Sequence, residues 1–194
     1  MFIAAPDESA DVERIYTASR ASMGFTMNLT RAWAWRPDVF DGFAALRGTL
    51  TSQSTLSKRD QAVLVCAMAS ELGDAYCSLA WGRTLAQEAG VAAAAAVITN
   101  ADTPDVSDRE RALAAWARKV VADPNATSER DVMALRRAGL NDREIFEATV
   151  FIAFRQAFST VNDALGIHPD RQLADQVPPE VRGAVTYGRP AAEA

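Results

Sequence analysis

The sequence predicts an all-α protein, and three observations support that prediction. First, at three places a serine or asparagine is followed three residues later by an acidic residue, and this spacing is typical of the capped start of a helix. The pairs are Ser57 with Asp60, Ser107 with Glu110, and Asn141 with Glu144. Second, apolar residues recur at helical spacing between glycines. Third, no segment alternates apolar and polar residues over more than four positions, as a strand on the face of a sheet would.

The first 50 residues are expected to form an N-terminal helical arm, residues 1–50. Pro6 and Asp7 precede a segment with apolar residues at helical spacing, which predicts the first helix. A second, short helix is expected to end before Pro37, because proline disfavours the helical conformation in the residue before it. Pro37 can occupy the first position of a third helix, which we expect to end at Gly48.

Residues 51–167 are expected to form the core, a bundle of helices separated by glycines. The first core helix is expected to end at Gly73, and Asp74 can cap the next helix, which would run to Gly90. An alanine-rich helix and three further helices follow, and they begin near Val91, Ser107, Ser128 and Asn141. Beyond this core the chain is rich in proline and shows no period, so 168–194 is expected to be a Pro-rich C-terminal tail.

The composition argues against several classes of protein. The 194 residues carry a formal net charge of -5 without a run of basic residues, which disfavours nucleic-acid binding. Cys66 and Cys77 are too few for a disulfide scaffold, and with His168 as the single histidine we expect no metal site. The N-terminus is acidic, and the longest apolar stretch, Val91 to Ile98, is too short for a membrane span. We therefore expect a cytoplasmic protein without membrane contact, and without a Gly-rich phosphate loop we expect no cofactor.

One segment resembles a known superfamily. Between Leu56 and Gly82, a helix ends at a glycine turn and Tyr76 directly precedes Cys77 near the start of the next helix. Shorter phrases of the same kind follow at 107–113, 138–145 and 163–166. Over about residues 25–170, the chain is similar to the alkylhydroperoxidase D and carboxymuconolactone decarboxylase superfamily, in its peroxidase-related branch. The resemblance implies an alkylhydroperoxidase D-like helical bundle that assembles as a homo-oligomer, a trimer or hexamer.

The sequence departs from the superfamily at three of its four reactive positions. The first cysteine of the family's CxxC motif falls on Asp74, and the second falls on Cys77. The family's histidine falls on Trp81, and its proton-relay glutamate falls on Ala62. With this degenerate CxxC motif, the two-thiol peroxidase mechanism cannot operate as it does in the family.

Cys77 is the one reactive residue that remains, and it has two interpretations. In the family the second motif cysteine attacks peroxide, so Cys77 could form a sulfenic acid that an outside thiol resolves. Its place in the first turn of a helix predicts that the helix dipole lowers the pKa of the thiol, while an ionised Asp74 raises it. The alternative is a small buried cysteine without a reaction, which is also the interpretation that suits Cys66.

Four neighbouring residues complete the candidate site, and they have structural alternatives. Asp74 could be an acid or base in a pocket, or only the cap of its helix. Glu71 lies one turn earlier and could share the acid–base role, or be a solvated residue at a helix end. Trp81 could bind an aromatic substrate together with Tyr76, or fill the space that the family's histidine leaves.

Three functions remain open. The first, which the decarboxylase branch of the superfamily suggests, is a cofactor-free enzyme that performs acid–base chemistry on a small organic molecule. Cys77, Asp74 and Glu71 would be its catalytic groups, and its substrate would be aromatic or lactone-like. The second is a single-cysteine peroxidase that uses Cys77. The third is a non-catalytic oligomeric binding protein whose reactive site has been lost.

Overall fold

A computed structural model describes residues 1–192, and these residues form eleven α-helices and no β-strand. The all-α fold class predicted from the sequence is confirmed. The predicted tail extends two residues further, and Glu193 and Ala194 lie outside the described residues. The helices are α1 (Ala10–Met23), α2 (Asn28–Trp33), α3 (Pro37–Ser52), α4 (Lys58–Leu72), α5 (Ala75–Ala89), α6 (Val91–Thr99), α7 (Asp108–Ala122), α8 (Glu129–Arg137), α9 (Asp142–Ala164), α10 (Arg171–Asp175) and α11 (Pro179–Ala184).

The core is built around α4, in which every residue from Asp60 to Ala69 is buried. A helix that is buried on all sides must be surrounded by other elements, and α4 contacts α5, α6, α7 and α9. The largest fully buried side chains include Leu64 and Met68 of α4, Leu113 of α7 and Phe151 of α9. This packing fixes the positions of α5 and α9, the two core helices that carry the candidate site.

The helix starts predicted from the paired cap and acidic residues are confirmed on α4, α7 and α9. In each case the cap side chain accepts a hydrogen bond from the backbone N–H of the acidic residue, and the acidic side chain accepts one from the backbone N–H of the cap residue. The turn from α4 to α5 depends on Gly73, whose φ of +73° is a left-handed conformation that favours glycine. The sequence therefore predicts this part of the core from local signals.

The N-terminal arm, formed by α1, α2 and α3, is attached to the core through Trp33. The Trp33 ring stacks on Phe158 of α9 with the centroids 4.9 Å apart. Its Nε1 donates a hydrogen bond to Oδ1 of Asn162 at 2.8 Å, so the polar atom of the buried indole has a partner. The arm therefore lies against the same helix that forms one wall of the candidate site.

Two boundaries of the arm differ from the prediction. α1 begins at Ala10, because the side chain of Ser9 rather than Asp7 accepts the backbone hydrogen bond of the first turn. α3 passes through Gly48 and ends at Ser52, so the predicted boundary between residues 50 and 51 falls within a helix. A glycine weakens a helix interior by only about 1 kcal/mol relative to alanine, so it need not end one.

Two short helices of the predicted tail are packed on the core. They are α10 and α11, and Val181 of α11 is fully buried in the main hydrophobic core. The hydroxyl groups of Tyr187 and Ser78 form a hydrogen bond of 2.9 Å, which joins the end of the chain to α5. The expectation of an aperiodic tail is wrong for these residues, because Pro179 begins a helix there rather than preventing one.

Within residues 1–192, no helix combines the length and the hydrophobicity that crossing a bilayer requires. The trimer or hexamer implied by the resemblance concerns several chains and stays a prediction.

Candidate functional site

A cavity of about 480 Å³ lies between the arm and the core. Helices α1, α2 and α3 supply one side of it, and α5 and α9 supply the other. The volume lies within the range of about 300–1,000 Å³ that is typical of small-molecule sites. We call it the arm–core cavity. The charged, aromatic and thiol side chains in its lining are those of Arg14, Phe40, Asp41, Arg47, Tyr76, Cys77, Trp81, Arg155 and Phe158.

Cys77 lies in the wall of this cavity, in the first turn of α5. Its backbone N–H donates a hydrogen bond of 2.9 Å to Oδ1 of Asp74, which fixes the start of the helix. Its Sγ is 3.4 Å from Nη2 of Arg155 and 3.4 Å from Oγ of Ser159, both on α9. A guanidinium and a hydroxyl group therefore face the sulfur from the neighbouring helix.

The pKa of Cys77 is raised, so the lowering expected from the helix dipole does not prevail, whereas the raising effect expected from Asp74 is present. Burial is the largest influence and, together with the charge of Asp74, raises the pKa of the Cys77 thiol to about 12. Arg155 and the hydrogen bond from Ser159 lower the pKa, but their effect is smaller. Cys77 is 3% exposed, so the hydration that a thiolate loses outweighs what a helix start supplies. The thiol therefore stays protonated at neutral pH.

Asp74 is the N-cap of α5, as one of its two interpretations predicts. Its carboxylate is completely buried, and Oδ2 has no hydrogen-bond partner among the described residues. Asp74 does not line the arm–core cavity. It lies near Asp163 of α9 instead, where burial and then the charge of Asp74 raise the pKa of Asp163 to about 7. Asp74 therefore acts on Cys77 through its charge and its helix cap, not through the cavity.

Glu71 lies in the last turn of α4 with its side chain exposed, as its structural alternative predicts. It is absent from the cavity lining. Its charge acts on Arg118 of α7, where burial lowers the pKa of the guanidinium and Glu71 opposes that effect. The structure therefore brings Asp74 and Cys77 together and leaves Glu71 apart from them.

Tyr76 and Trp81, the two predicted substrate-binding residues, both lie in the cavity wall. The Tyr76 hydroxyl donates a hydrogen bond to the buried carboxylate of Asp170, so only its ring faces the cavity. Trp81 meets Phe151 edge to face with the centroids 6.1 Å apart. Trp81 therefore forms part of the cavity wall and also packs against the main hydrophobic core, so both of its interpretations stay predictions.

Ala62, which stands at the position of the family's proton-relay glutamate, lies in the hydrophobic core. Ala62 is fully buried in α4, and Cys66 one turn later is buried as a free thiol. Burial raises the pKa of Cys66, and neither residue lines the cavity. The core interpretation of Cys66 is therefore the one that its surroundings favour.

Arg155 is the main site residue that the sequence analysis missed, and Arg47 and Ser159 were missed with it. Arg155 is 5% exposed, and its guanidinium carbon lies 5.2 Å from the ring centroid of Trp81 and 5.3 Å from that of Phe158. A signal is present, because Phe151, Arg155 and Phe158 recur on one buried face of α9. A charged residue within such an apolar stripe indicates a buried charge that needs a partner.

Comparison with solved structures identifies this architecture. A peroxidase-related protein of Ralstonia eutropha JMP134, described as an alkylhydroperoxidase D core, has a TM-score of 0.77 and 26% identity over 89% of this chain and 93% of that chain. The chain has the alkylhydroperoxidase D fold of the peroxidase-related proteins. A second such protein, from Silicibacter sp. TM1040, has a TM-score of 0.77 and 20% identity over 89% of this chain and 93% of that chain. The predicted resemblance to peroxidase-related proteins of the alkylhydroperoxidase D fold is confirmed, and the relation to carboxymuconolactone decarboxylases stays a prediction.

The alkylhydroperoxidase D fold also occurs in the debrominase Bmp8. The apo structure of Bmp8 has a TM-score of 0.75 and 14% identity over 95% of this chain and 98% of that chain. A variant with a cysteine changed to alanine, in complex with 2,3,4-tribromopyrrole, has a TM-score of 0.73 and 15% identity over 90% of this chain and 95% of that chain. No family model and no curated protein matches the sequence.

Proposed function

We propose that this protein is a cofactor-free enzyme that transfers protons on a small organic molecule held in the arm–core cavity. Cys77 is the proton-transferring group. One observation carries the proposal: of the three predicted catalytic residues, Cys77 alone has its side chain in the cavity wall, and a guanidinium and a hydroxyl group face its sulfur there.

The raised pKa of Cys77 determines that its thiol begins the reaction as a proton donor. A thiol with a pKa of about 12 is protonated at neutral pH, so it is a proton donor and not a resting nucleophile. Water in the cavity takes a proton from an acidic C–H group of the bound molecule, and the S–H group protonates the resulting enolate at another carbon, so one C–H bond breaks and another forms. Arg155 and Ser159 donate hydrogen bonds to the thiolate that this leaves. The thiolate then takes the proton back from the hydronium ion and returns to its starting state.

The shape of the cavity supports a small cyclic ligand. The rings of Tyr76, Trp81 and Phe158 line it, and such faces bind flat apolar molecules. The debrominase of the same fold is described in complex with 2,3,4-tribromopyrrole, a small aromatic ring. An aromatic or lactone-like molecule is therefore the substrate class that this site suits.

Exchange of carbon-bound hydrogen in D₂O tests the proposal without a known substrate. The panel contains unsaturated γ-lactones and aryl ketones, each with and without a carboxylate, and NMR follows deuterium incorporation. We expect the wild-type protein to exchange at least one member. We expect Cys77→Ala to lose at least about a hundredfold of that rate, since a positioned acid–base group contributes about 10²–10⁴-fold.

Cys66→Ala is the matched control for this experiment. It removes one buried thiol from the core and leaves the cavity lining intact, so its exchange rate should equal that of the wild type. Exchange that persists in Cys77→Ala contradicts the proposal, and so does a wild-type protein that exchanges no member of the panel.

A single-cysteine peroxidase is the second candidate, and the contact of Arg155 with Sγ favours it, because a guanidinium stabilises a thiolate. In that reaction the thiolate attacks a peroxide oxygen, the S–O bond forms as the O–O bond breaks, and the leaving oxygen takes a proton. An outside thiol then reduces the sulfenic acid. Mass spectrometry after mild peroxide should show oxidation at Cys77 and none at Cys66. The raised pKa of Cys77 predicts slow oxidation, and an unmodified Cys77 excludes this candidate.

A further inference from the structure

The arm–core cavity contains positive charge that the described residues do not neutralise. Arg14 forms an ion pair with Asp41, at 2.6 Å between Nη2 and Oδ2. Neither Arg47 nor Arg155 forms an ion pair with any carboxylate of residues 1–192. The lining therefore has two uncompensated cations, one deeply buried and one nearer the solvent.

Of the two guanidinium groups, that of Arg155 costs more free energy to leave without an anion, because it is buried. A buried charge costs free energy unless it is paired and hydrogen-bonded. The guanidinium of Arg155 contacts two aromatic rings and the Sγ of Cys77, none of which carries a negative charge, and its buried Nε has no hydrogen-bond partner within the described part of the chain. Such a guanidinium needs an anion to complete its surroundings.

Arg47 places a second positive charge in the same cavity lining and so strengthens the case for a bound anion. Arg47 is an exposed residue, but it shares with Arg155 the lining of a second, smaller cavity between α3 and α9. Loss of hydration, and then the charge of Arg155, lower the pKa of Arg47, as expected for two positive charges in one lining. Both line the arm–core cavity, Arg47 from α3 and Arg155 from α9. An anion between them would relieve the repulsion and pair with both charges.

We propose that the arm–core cavity binds a small organic carboxylate, with its charged group held by Arg155 and Arg47 and its apolar or aromatic body against Trp81 and Phe158. This names the substrate class of the site and rests on the proposed function for the reaction itself. Because Nη2 of Arg155 is also 3.4 Å from Sγ of Cys77, a carboxylate on that guanidinium lies next to the thiol.

A carboxylate suits the lining better than a phosphate. Two guanidinium groups match the two oxygens of a carboxylate, and a phosphate needs additional donors for its remaining oxygens. The hydroxyl groups of Ser19 and Thr30 also line the cavity, but they are hydrogen-bonded to each other at 3.4 Å. The remaining lining is mostly apolar, which favours an organic body.

Titration calorimetry of the full chain with benzoate and benzamide tests the proposal. The two probes have the same shape, and only benzoate carries the charge. We expect benzoate to bind at least tenfold more tightly than benzamide, and Arg155→Gln to weaken benzoate at least tenfold while leaving benzamide unchanged. Arg155→Lys keeps the positive charge but lacks the planar guanidinium with its paired N–H donors, so we expect a loss of benzoate affinity smaller than that of Arg155→Gln.

Arg143→Gln is the matched control. It removes one positive charge from the same helix, but Arg143 is exposed and pairs with Glu147 far from the cavity, so benzoate affinity should not change. Thermal melting of each variant shows whether it is folded. If Arg155→Gln does not fold, Arg155→Lys and the comparison of benzoate with benzamide decide the outcome.

Three results would overturn the proposal. They are equal binding of benzoate and benzamide, unchanged benzoate affinity in a folded Arg155→Gln, and tighter Arg155-dependent binding of inorganic phosphate than of benzoate. Failure of the proposed function is separate, because the binding measurement does not depend on proton exchange. A wild-type protein that binds benzoate through Arg155 but exchanges no member of the lactone and ketone panel would lose the proposed function and keep this proposal.

Discussion

The first turn of α9 and the middle of the same helix differ in how their charged side chains are paired. At its start, Glu144 and Asp60 share Arg109, at N–O distances of 2.7 and 3.3 Å, and both carboxylates also complete capping boxes. Eleven residues further along the helix, Arg155 is buried without a carboxylate partner among residues 1–192. The charges of the Arg109 network are paired with one another within the chain, whereas the charge of Arg155 has no carboxylate partner among the described residues.

This difference separates a structural role from a binding role. At the start of α9, the cost of burying charge is offset by partners in the same chain, so the network stabilises the junction of α4, α7 and α9. A second ion pair, between Arg59 and Glu110, joins α4 to α7 at the same end. At the arm–core cavity, the cost of burying Arg155 is not offset by the described residues. Departures of this kind from a fully satisfied interior are typical of functional sites.

Arg109→Met should have the largest effect on stability. It removes the shared cation and leaves Asp60 and Glu144 as neighbouring carboxylates, whose side chains are only 10% and 14% exposed. Breaking a buried ion pair costs about 3–5 kcal/mol, and partial exposure of Arg109 reduces this to about 2–3 kcal/mol. Urea unfolding followed by circular dichroism measures the free energy of unfolding.

Arg136→Gln is the control for that measurement. It breaks the ion pair of Arg136 with Asp142, which is open to solvent, with side-chain exposures of 42% and 78%. Exposed ion pairs contribute little, so a loss below about 0.5 kcal/mol is expected. Equal losses in the two variants would mean that the network at the start of α9 is no more than a surface feature.

Asp163→Asn tests a carboxylate of α9 whose charge is unfavourable in the folded protein. Its effect on the free energy of unfolding depends on pH. Burial and the charge of Asp74 raise the pKa of Asp163 to about 7, while Arg189 opposes the shift. Because the folded protein then binds the proton more tightly than the unfolded chain, the contribution of Asp163 to stability falls as pH rises from about 4 to about 7.

The asparagine variant removes this pH-dependent loss. After allowance for solvent screening, since Asp163 is only half-buried, we expect Asp163→Asn to be about 1–2 kcal/mol more stable than the wild type at pH 8. The gain should be smaller at pH 5. Denaturation at both pH values measures it, and a gain that is the same at pH 5 and pH 8 would show that the carboxyl group is not the cause.

Local signals explain how much of the fold could be predicted. A capping box such as Ser57 with Asp60 has both partners within three residues of each other, so the sequence contains the whole interaction. The predictions that failed, a first helix that starts directly after Pro6 and Asp7 and a third helix that ends at Gly48, rest on one or two residues whose effect depends on what packs around them. The all-α class depends on the sum of these signals and is therefore insensitive to such errors.

The site depends on contacts between distant parts of the chain, and this is why less of it could be predicted. Cys77 and Arg155 are separated by 78 residues, so their contact has no local signal. Burial decides the pKa of Cys77, and its place in the first turn of a helix does not reveal burial. Glu71 is close to Asp74 in sequence, but the end of α4 leaves its side chain exposed.

Arg155→Met should change stability much less than Arg109→Met, and the comparison is direct because the same substitution is made at both positions. Methionine can occupy the apolar space beside Trp81 and Phe158, and its sulfur contacts aromatic rings favourably. The loss of the hydrogen bond to Cys77 costs about 1 kcal/mol, and removal of an uncompensated buried charge offsets it. We expect a free energy of unfolding within about 1 kcal/mol of the wild type.

The same urea titration measures both methionine variants side by side. If Arg155→Met loses as much stability as Arg109→Met, then Arg155 is neutralised by a group of the chain itself, and the cavity holds no free cation for a ligand. If its stability is unchanged while benzoate affinity is lost, the first turn and the middle of α9 differ as the structure indicates. The charges at its start then serve folding, and the charge facing the cavity serves binding.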